Sequence, residues 1–136
     1  SPPQSLGWFV FVLLLNLPPA QGAQEYYYRE ALNNPITIWL PQGTEEQQRQ
    51  GVSIEYAVAL ICRRVNVPYQ AQRSRQLSKG KAQTRVQSVR YTNAAASGVI
   101  AAVAAQGGLV ATVDNNGVYL GVSLLSWNLI WRPPDR

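Results

Sequence analysis

Ser53-Ile54-Glu55-Tyr56-Ala57-Val58-Ala59-Leu60-Ile61-Cys62-Arg63-Arg64-Val65 is the best-specified element of the chain. Ile54, Ala57, Val58, Ile61, Cys62 and Val65 recur at spacings of three and four, which puts them on one face of an α-helix. Ser53 can cap that helix by accepting a backbone N–H two or three residues on. Glu55 in the first turn and Arg63-Arg64 in the last complement the helix dipole. Asn66 suits a left-handed terminator, and Pro68 forbids continuation. Cys62, on the apolar face, reads as a packing residue rather than a nucleophile.

Before this helix, Ile36, Ile38 and Leu40 alternate with Thr37 and Trp39, the period-2 pattern of a half-buried strand, and Pro41 and Gly43 end it. Residues 44–50 are acidic, glutamine-rich and without an apolar stripe, so they read as an exposed loop or a frayed helical turn. After the helix, Val67, Tyr69 and Ala71 alternate with Pro68, Gln70 and Gln72 as a second short strand. Residues 73–81 form a basic turn region around Lys79-Gly80, and residues 84–91 are again strand-like. Thr92 or Asn93 then caps a second helix over residues 94–105, where alanine supplies the propensity. Val99, Ile100 and Val103 supply a thin apolar stripe, and Gly107-Gly108 stop it.

The clearest turn signal follows. Leu109-Val110-Ala111-Thr112-Val113 and Val118-Tyr119-Leu120-Gly121-Val122 flank Asp114-Asn115-Asn116-Gly117. Asn and Gly tolerate the positive φ that tight hairpin turns need, so these runs pair. The order is strand, helix, strand, then strand, helix, hairpin. It predicts an α+β fold over residues 36–122, a small βαβ-βαββ sandwich with two helices on one face of a mixed sheet. Residues 23–35 form a polar, tyrosine-rich lead. Residues 123–136 form a tail carrying Trp127 and Trp131, either an edge strand or a docking patch.

The chain of 136 residues is 46% apolar and 14% charged, against about 25% charged in ordinary soluble domains. Its length supports one domain. Histidine is absent, which excludes a Ser-His-Asp triad, a Cys-His dyad and a His-ligated metal. A single cysteine cannot form an internal disulfide or a Cys-rich zinc site. Residues 6–15 are uncharged and apolar, too few for a spanning helix of about 20 residues. Asn16 and Pro18-Pro19 close the run, and Ala20-Gln21-Gly22 offers small residues to a signal peptidase. Residues 1–22 therefore read as a secretory signal peptide cut short at its N-terminus. The alternatives are a buried apolar element or a retained membrane anchor. Export would place the domain in an oxidising compartment, where a lone cysteine cannot scramble.

Twelve Lys plus Arg stand against seven Asp plus Glu, a net charge of +5. Arg63, Arg64, Arg73, Arg75, Lys79, Lys81, Arg85 and Arg90 follow one another with no acidic residue between them. They read either as a solvated rim or as a surface facing an acidic partner, anionic lipid headgroups or nucleic acid. Nucleic acid is the weakest of these, because stacking needs interleaved aromatics and only Tyr69 and Tyr91 lie near. For catalysis, Glu45-Glu46 and Asp114-Asn115 are the groupings to consider, and neither presents converging carboxylates. Gly107-Gly108 follows a helix, whereas a phosphate-cradling loop precedes one. No enzyme activity, cofactor or metal is expected.

The arrangement resembles the short N-terminal domain shared by secretins and TonB-dependent outer-membrane receptors. That family opens with a strand ending in Leu-Pro, and here stands Ile36-Thr37-Ile38-Trp39-Leu40-Pro41. The helix from Ile54, Tyr69 and the basic loop Lys79-Gly80-Lys81 follow in the family's order. Val89-Arg90-Tyr91-Thr92, the alanine-rich helix, Gly108-Leu109 and the hairpin complete the likeness, which covers residues 35–122. Residues 44–50 lengthen the first connection relative to the family. The resemblance implies a non-enzymatic periplasmic or outer-membrane-associated module. Its partner would be a cell-envelope protein, such as an inner-membrane regulator or an assembly component, in signal transfer or secretion.

Overall fold

The computed structural model describes residues 22–122. The apolar run at residues 6–15 and the tail with Trp127 and Trp131 lie outside the described residues. In order, the elements are α1 (Ala23–Ala31), β1 (Pro35–Leu40), α2 (Glu45–Gln50), β2 (Val52–Ser53), α3 (Ile54–Arg64) and α4 (Ala71–Ser78). A 3-10 turn (Lys81–Gln83) leads to β3 (Arg85–Val86), β4 (Val89–Ala95), α5 (Ala96–Ala105), β5 (Leu109–Asp114) and β6 (Gly117–Val122).

The fold is α+β, as its periodicities require. Its strands form three two-stranded antiparallel ladders, β1–β4, β2–β3 and β5–β6, in place of one mixed sheet. Two causes keep the ladders apart. β2 and β3 are two residues each, too short to bridge their neighbours. The outer edge of β6 is occupied by the chain between α3 and α4. There the Val118 N–H donates to the Pro68 carbonyl and the Gln70 N–H to the Val118 carbonyl, at 2.9 and 2.8 Å. Only the parallel bridge between Tyr69 and Val118 remains of the strand expected there.

α3 follows its sequence pattern. The Ser53 hydroxyl accepts the Tyr56 N–H at 3.1 Å, and Ile54, Ala57, Val58, Ile61 and Cys62 are buried. α5 packs on α3 and buries Ala96, Val99, Ile100, Val103 and Ala104. β1 alternates as expected, with Ile36, Ile38 and Leu40 inward and Trp39 outward. Val89 of β4, opposite Leu40, and Val118 and Leu120 of β6 close the core.

Two segments depart from expectation, each for a local reason. Residues 71–78 are helical, although a strand end and a basic turn were expected, because the buried face of α4 is Ser74 and Ser78. Two serines four apart leave no apolar stripe to read. The Ser74 hydroxyl accepts the Leu120 N–H at 3.0 Å, whereas the Ser78 hydroxyl finds no partner among the described residues.

The second departure is β4, which runs on to Ala95 through Thr92 and Asn93, the expected caps. Ile36 faces Ala94 and Ile38 faces Tyr91, so two steps along β1 match three along β4, a β-bulge. Asn93 sits at φ 51° with its N–H on the Thr37 hydroxyl at 3.1 Å. Its tolerance of the left-handed region serves the bulge and not a helix cap. α5 consequently starts at Ala96 without a side-chain cap. Its first donors, the N–H groups of Ala96 and Ser97, bind the carbonyls of Asn34 and Leu32 at 3.0 and 2.8 Å. The tyrosine-rich lead is thus α1, and the chain just past its end caps α5.

Of the two forms expected before α3, an exposed loop or a frayed helical turn, residues 45–50 take the helical one, α2, held by a reciprocal capping box between Thr44 and Gln47.

Candidate interaction surface

The eight basic residues are spread over α3, α4, the turn that follows it, β3 and β4, and five of them have a partner of their own. Arg73 and Arg75 belong to the packing of α4. Arg73 pairs with Asp114 and lies over the Tyr119 ring at 3.8 Å. Arg75 donates twice to Glu55 Oε1, at 3.2 and 3.1 Å, while the Tyr69 hydroxyl donates to Glu55 Oε2 at 3.3 Å. Burial, ahead of the nearby Glu55 charge, raises the Tyr69 hydroxyl above its ordinary pKa. Glu55 therefore ties the first turn of α3 to α4. Arg64 reaches the Thr37 carbonyl, Arg85 the Gly51 carbonyl, and Arg90 stacks on Trp39. Arg63 is exposed on α3, and Lys79 and Lys81 are exposed in the turn after α4.

Asp114 holds the hairpin to α4. It accepts the Asn116 N–H and Gln70 Nε2, both at 2.8 Å, as well as Arg73. Burial works against its ionised form, but these donors outweigh it and hold the carboxyl below its ordinary value of 3.8. The residue is occupied by structure. Glu45 and Glu46 are exposed on α2, in its first turn.

Cys62 is fully buried. Burial pushes its thiol up to about 12 from 9.0, against a smaller opposing effect of a backbone hydrogen bond. The thiolate is the reactive form, so the folded chain should resist a thiol reagent at pH 8 and react only as denaturant unfolds it. Rapid reaction without denaturant would contradict this packing. Because the folded pKa is raised, the thiol's contribution to stability is present below about pH 9 and is lost as pH rises towards 12.

The feature with surface character lies where the chain leaves β1. Trp39 is 58% exposed and Tyr56 56% exposed, although aromatic rings of this size usually bury most of their area. Between them runs a trough in two lobes. One, about 410 Å³, is lined by Pro41, Gln42, Val52, Tyr56 and Arg85. The other is lined by Trp39, Pro41, Gln42, Gln48 and Arg90. Pro41 and Gln42 border both, so the two hollows adjoin at these residues.

Local structure fixes the rims. Trp39 and Arg90 face each other across the β1–β4 ladder, and the guanidinium lies 4.8 Å from the ring centroid. Stacking occupies the face of the guanidinium and leaves N–H donors at its edges. Arg85 is anchored through one nitrogen, Nη1, to the Gly51 carbonyl at 3.0 Å. Gly51 itself, at φ 72°, comes so close to β3 that a Cβ would stand 2.3 Å from the Val86 carbonyl. That close approach seats the end of α2 against β3 and shapes the floor.

Sequence reasoning did not single out Trp39 and Tyr56, yet a signal for each was present. Trp39 occupies the outward phase of a strand whose inward phase is Ile36, Ile38 and Leu40. Tyr56 lies off the apolar stripe of α3. A large aromatic on the solvent side of an amphipathic element carries more information than a run of like charges. Among the described residues, no group of three His, Cys, Asp or Glu residues could hold a metal, and no helix is long and apolar enough to cross a membrane. No protein-family model, curated protein or solved structure matches the chain.

Proposed function

We propose that this chain is a non-enzymatic protein–protein interaction module of the cell envelope. It would be exported through residues 1–22 and work in the periplasm or at the outer membrane, in signal transfer or envelope assembly. The observation that carries the reading is the trough between Trp39 and Tyr56, rimmed by Arg85 and Arg90. Trp, Tyr and Arg are the residues that dominate binding energy at protein interfaces. Here they stand in solvent beside a pre-shaped hollow. The likeness to the short N-terminal domain of secretins and TonB-dependent receptors supports the same role and supplies the compartment. A broad anion-binding face draws less support, since Arg73 and Arg75 are spent in ion pairs with Asp114 and Glu55.

The test is site-specific photo-crosslinking in cells producing the full chain. A crosslinking amino acid at Gln42 or Gln48, inside the trough, is expected to give one discrete adduct. The same group at Arg63 or Gln106, both exposed elsewhere, is expected to give none. Equal labelling from all four positions would overturn the assignment.

A further inference from the structure

The trough has a charge character as well as a shape. Its rims carry Arg85 and Arg90, and no Asp or Glu lines either lobe. Of the acidic residues on bordering elements, Glu55 of α3 is turned to Arg75 and Tyr69, while Glu45 and Glu46 stand exposed in the first turn of α2 and line neither lobe. Each rim arginine is held through one part of its guanidinium, Arg85 by Nη1 and Arg90 by its face on Trp39. The remaining N–H donors are thereby oriented without being consumed. A planar guanidinium fixed in this way is suited to accept a carboxylate in a two-point contact. Beside the arginines, Tyr56 shares one lobe with Arg85 and Trp39 shares the other with Arg90, and Pro41 lines both, so each lobe offers apolar surface next to a guanidinium.

We infer that the trough binds an acidic peptide segment of its partner. Carboxylates would sit on Arg85 and Arg90, and an apolar side chain between them would lie against Pro41 and the two aromatic rings. This rests on the interaction-module reading and adds the chemistry of the occupant. Phosphate-rich ligands are less suited: a lipid headgroup or a nucleic-acid backbone would use the charges and leave Pro41 and the two aromatic rings uncovered.

The experiment is fluorescence anisotropy with the full chain and two labelled probes, a peptide of alternating Glu and Leu and one of alternating Lys and Leu. The Glu probe is expected to bind and the Lys probe to bind far more weakly. The R85E/R90E variant is expected to weaken the Glu probe by about tenfold or more and to improve the Lys probe. R63E/K79E makes the same change of net charge outside the trough and is expected to leave both affinities nearly unchanged. Equal losses in the two double variants would overturn the proposal, as would binding of neither probe at millimolar concentration. So would sedimentation with phosphatidylglycerol vesicles that is lost in R85E/R90E without any binding of the Glu probe. The crosslinks from Gln42 and Gln48 separate the two levels of failure. Adducts that persist when the Glu probe fails leave an interaction module with a different occupant, and their absence removes the module itself.

Discussion

Replacing Gly117 with alanine should destabilise the fold by about 3 kcal/mol or more, enough to lower its midpoint in a thermal melt by about 15 °C. Gly117 sits at φ 115° as the first residue of β6, directly across from Asp114. The backbone there is one that a residue with a Cβ adopts only under strain. Space forbids the change as well. A Cβ would lie 2.2 Å from the Pro68 carbonyl oxygen and 2.8 Å from its carbon. Relief would require the chain at Pro68 to withdraw from β6. That chain is held by three bonds: Val118 N–H to Pro68, Gln70 N–H to Val118, and Gln70 Nε2 to the Gly117 carbonyl. Each contributes about 1 kcal/mol net. α4 would come away with them, because the Ser74 contact to Leu120 is one turn further on. A G117A protein that melts within a few degrees of the wild type would show that this close approach is not needed.

Ile61→Ala should cost about 3 kcal/mol, read as a shift of the urea midpoint with an unchanged slope. Ile61 is fully buried on the core face of α3, and truncation leaves a cavity that the packing against α5 cannot fill. Tyr56→Ala on the same helix should change stability by no more than about 0.5 kcal/mol, since its ring is 56% exposed. The contrast matters more than either value. It separates the face of α3 that builds the core from the face that remains available. A large loss on removing Tyr56 would make that ring part of the fold.

How much of this was legible in the sequence depended on whether one element carried its own signal. α3 announced itself through Ser53, the apolar stripe and Pro68. The hairpin did so through Asp114-Asn115-Asn116-Gly117, whose turn pairs Asp114 with Gly117 as the residues imply. β1 was clear from its alternation. α4 was hidden because its buried residues are serines, of which Ser74 is satisfied by a β6 backbone donor more than forty residues away. The start of α5 was misplaced because its cap consists of main-chain carbonyls from Leu32 and Asn34, which have no side-chain signature. The three separate ladders were invisible for a related reason: which strand edges are occupied is settled by tertiary contacts.

The binding surface was harder still. Its rims come from β1, α3, β3 and β4, and the unbroken run of eight cations drew attention by proximity along the chain. Folding sends Arg73 and Arg75 into ion pairs with Asp114 and Glu55 and Arg64 to the back of β1. Only Arg85 and Arg90 of that run reach the trough.

The trough as a site that binds without supporting the fold is tested most directly by a single comparison. A crosslinking amino acid at Gln42 would be carried by the wild-type chain and by a W39A/Y56A variant, with the melting temperature of each recorded. Both proteins are expected to melt within about 5 °C of one another, with the adduct formed by the first and lost from the second. An adduct of equal yield from the variant would contradict the account.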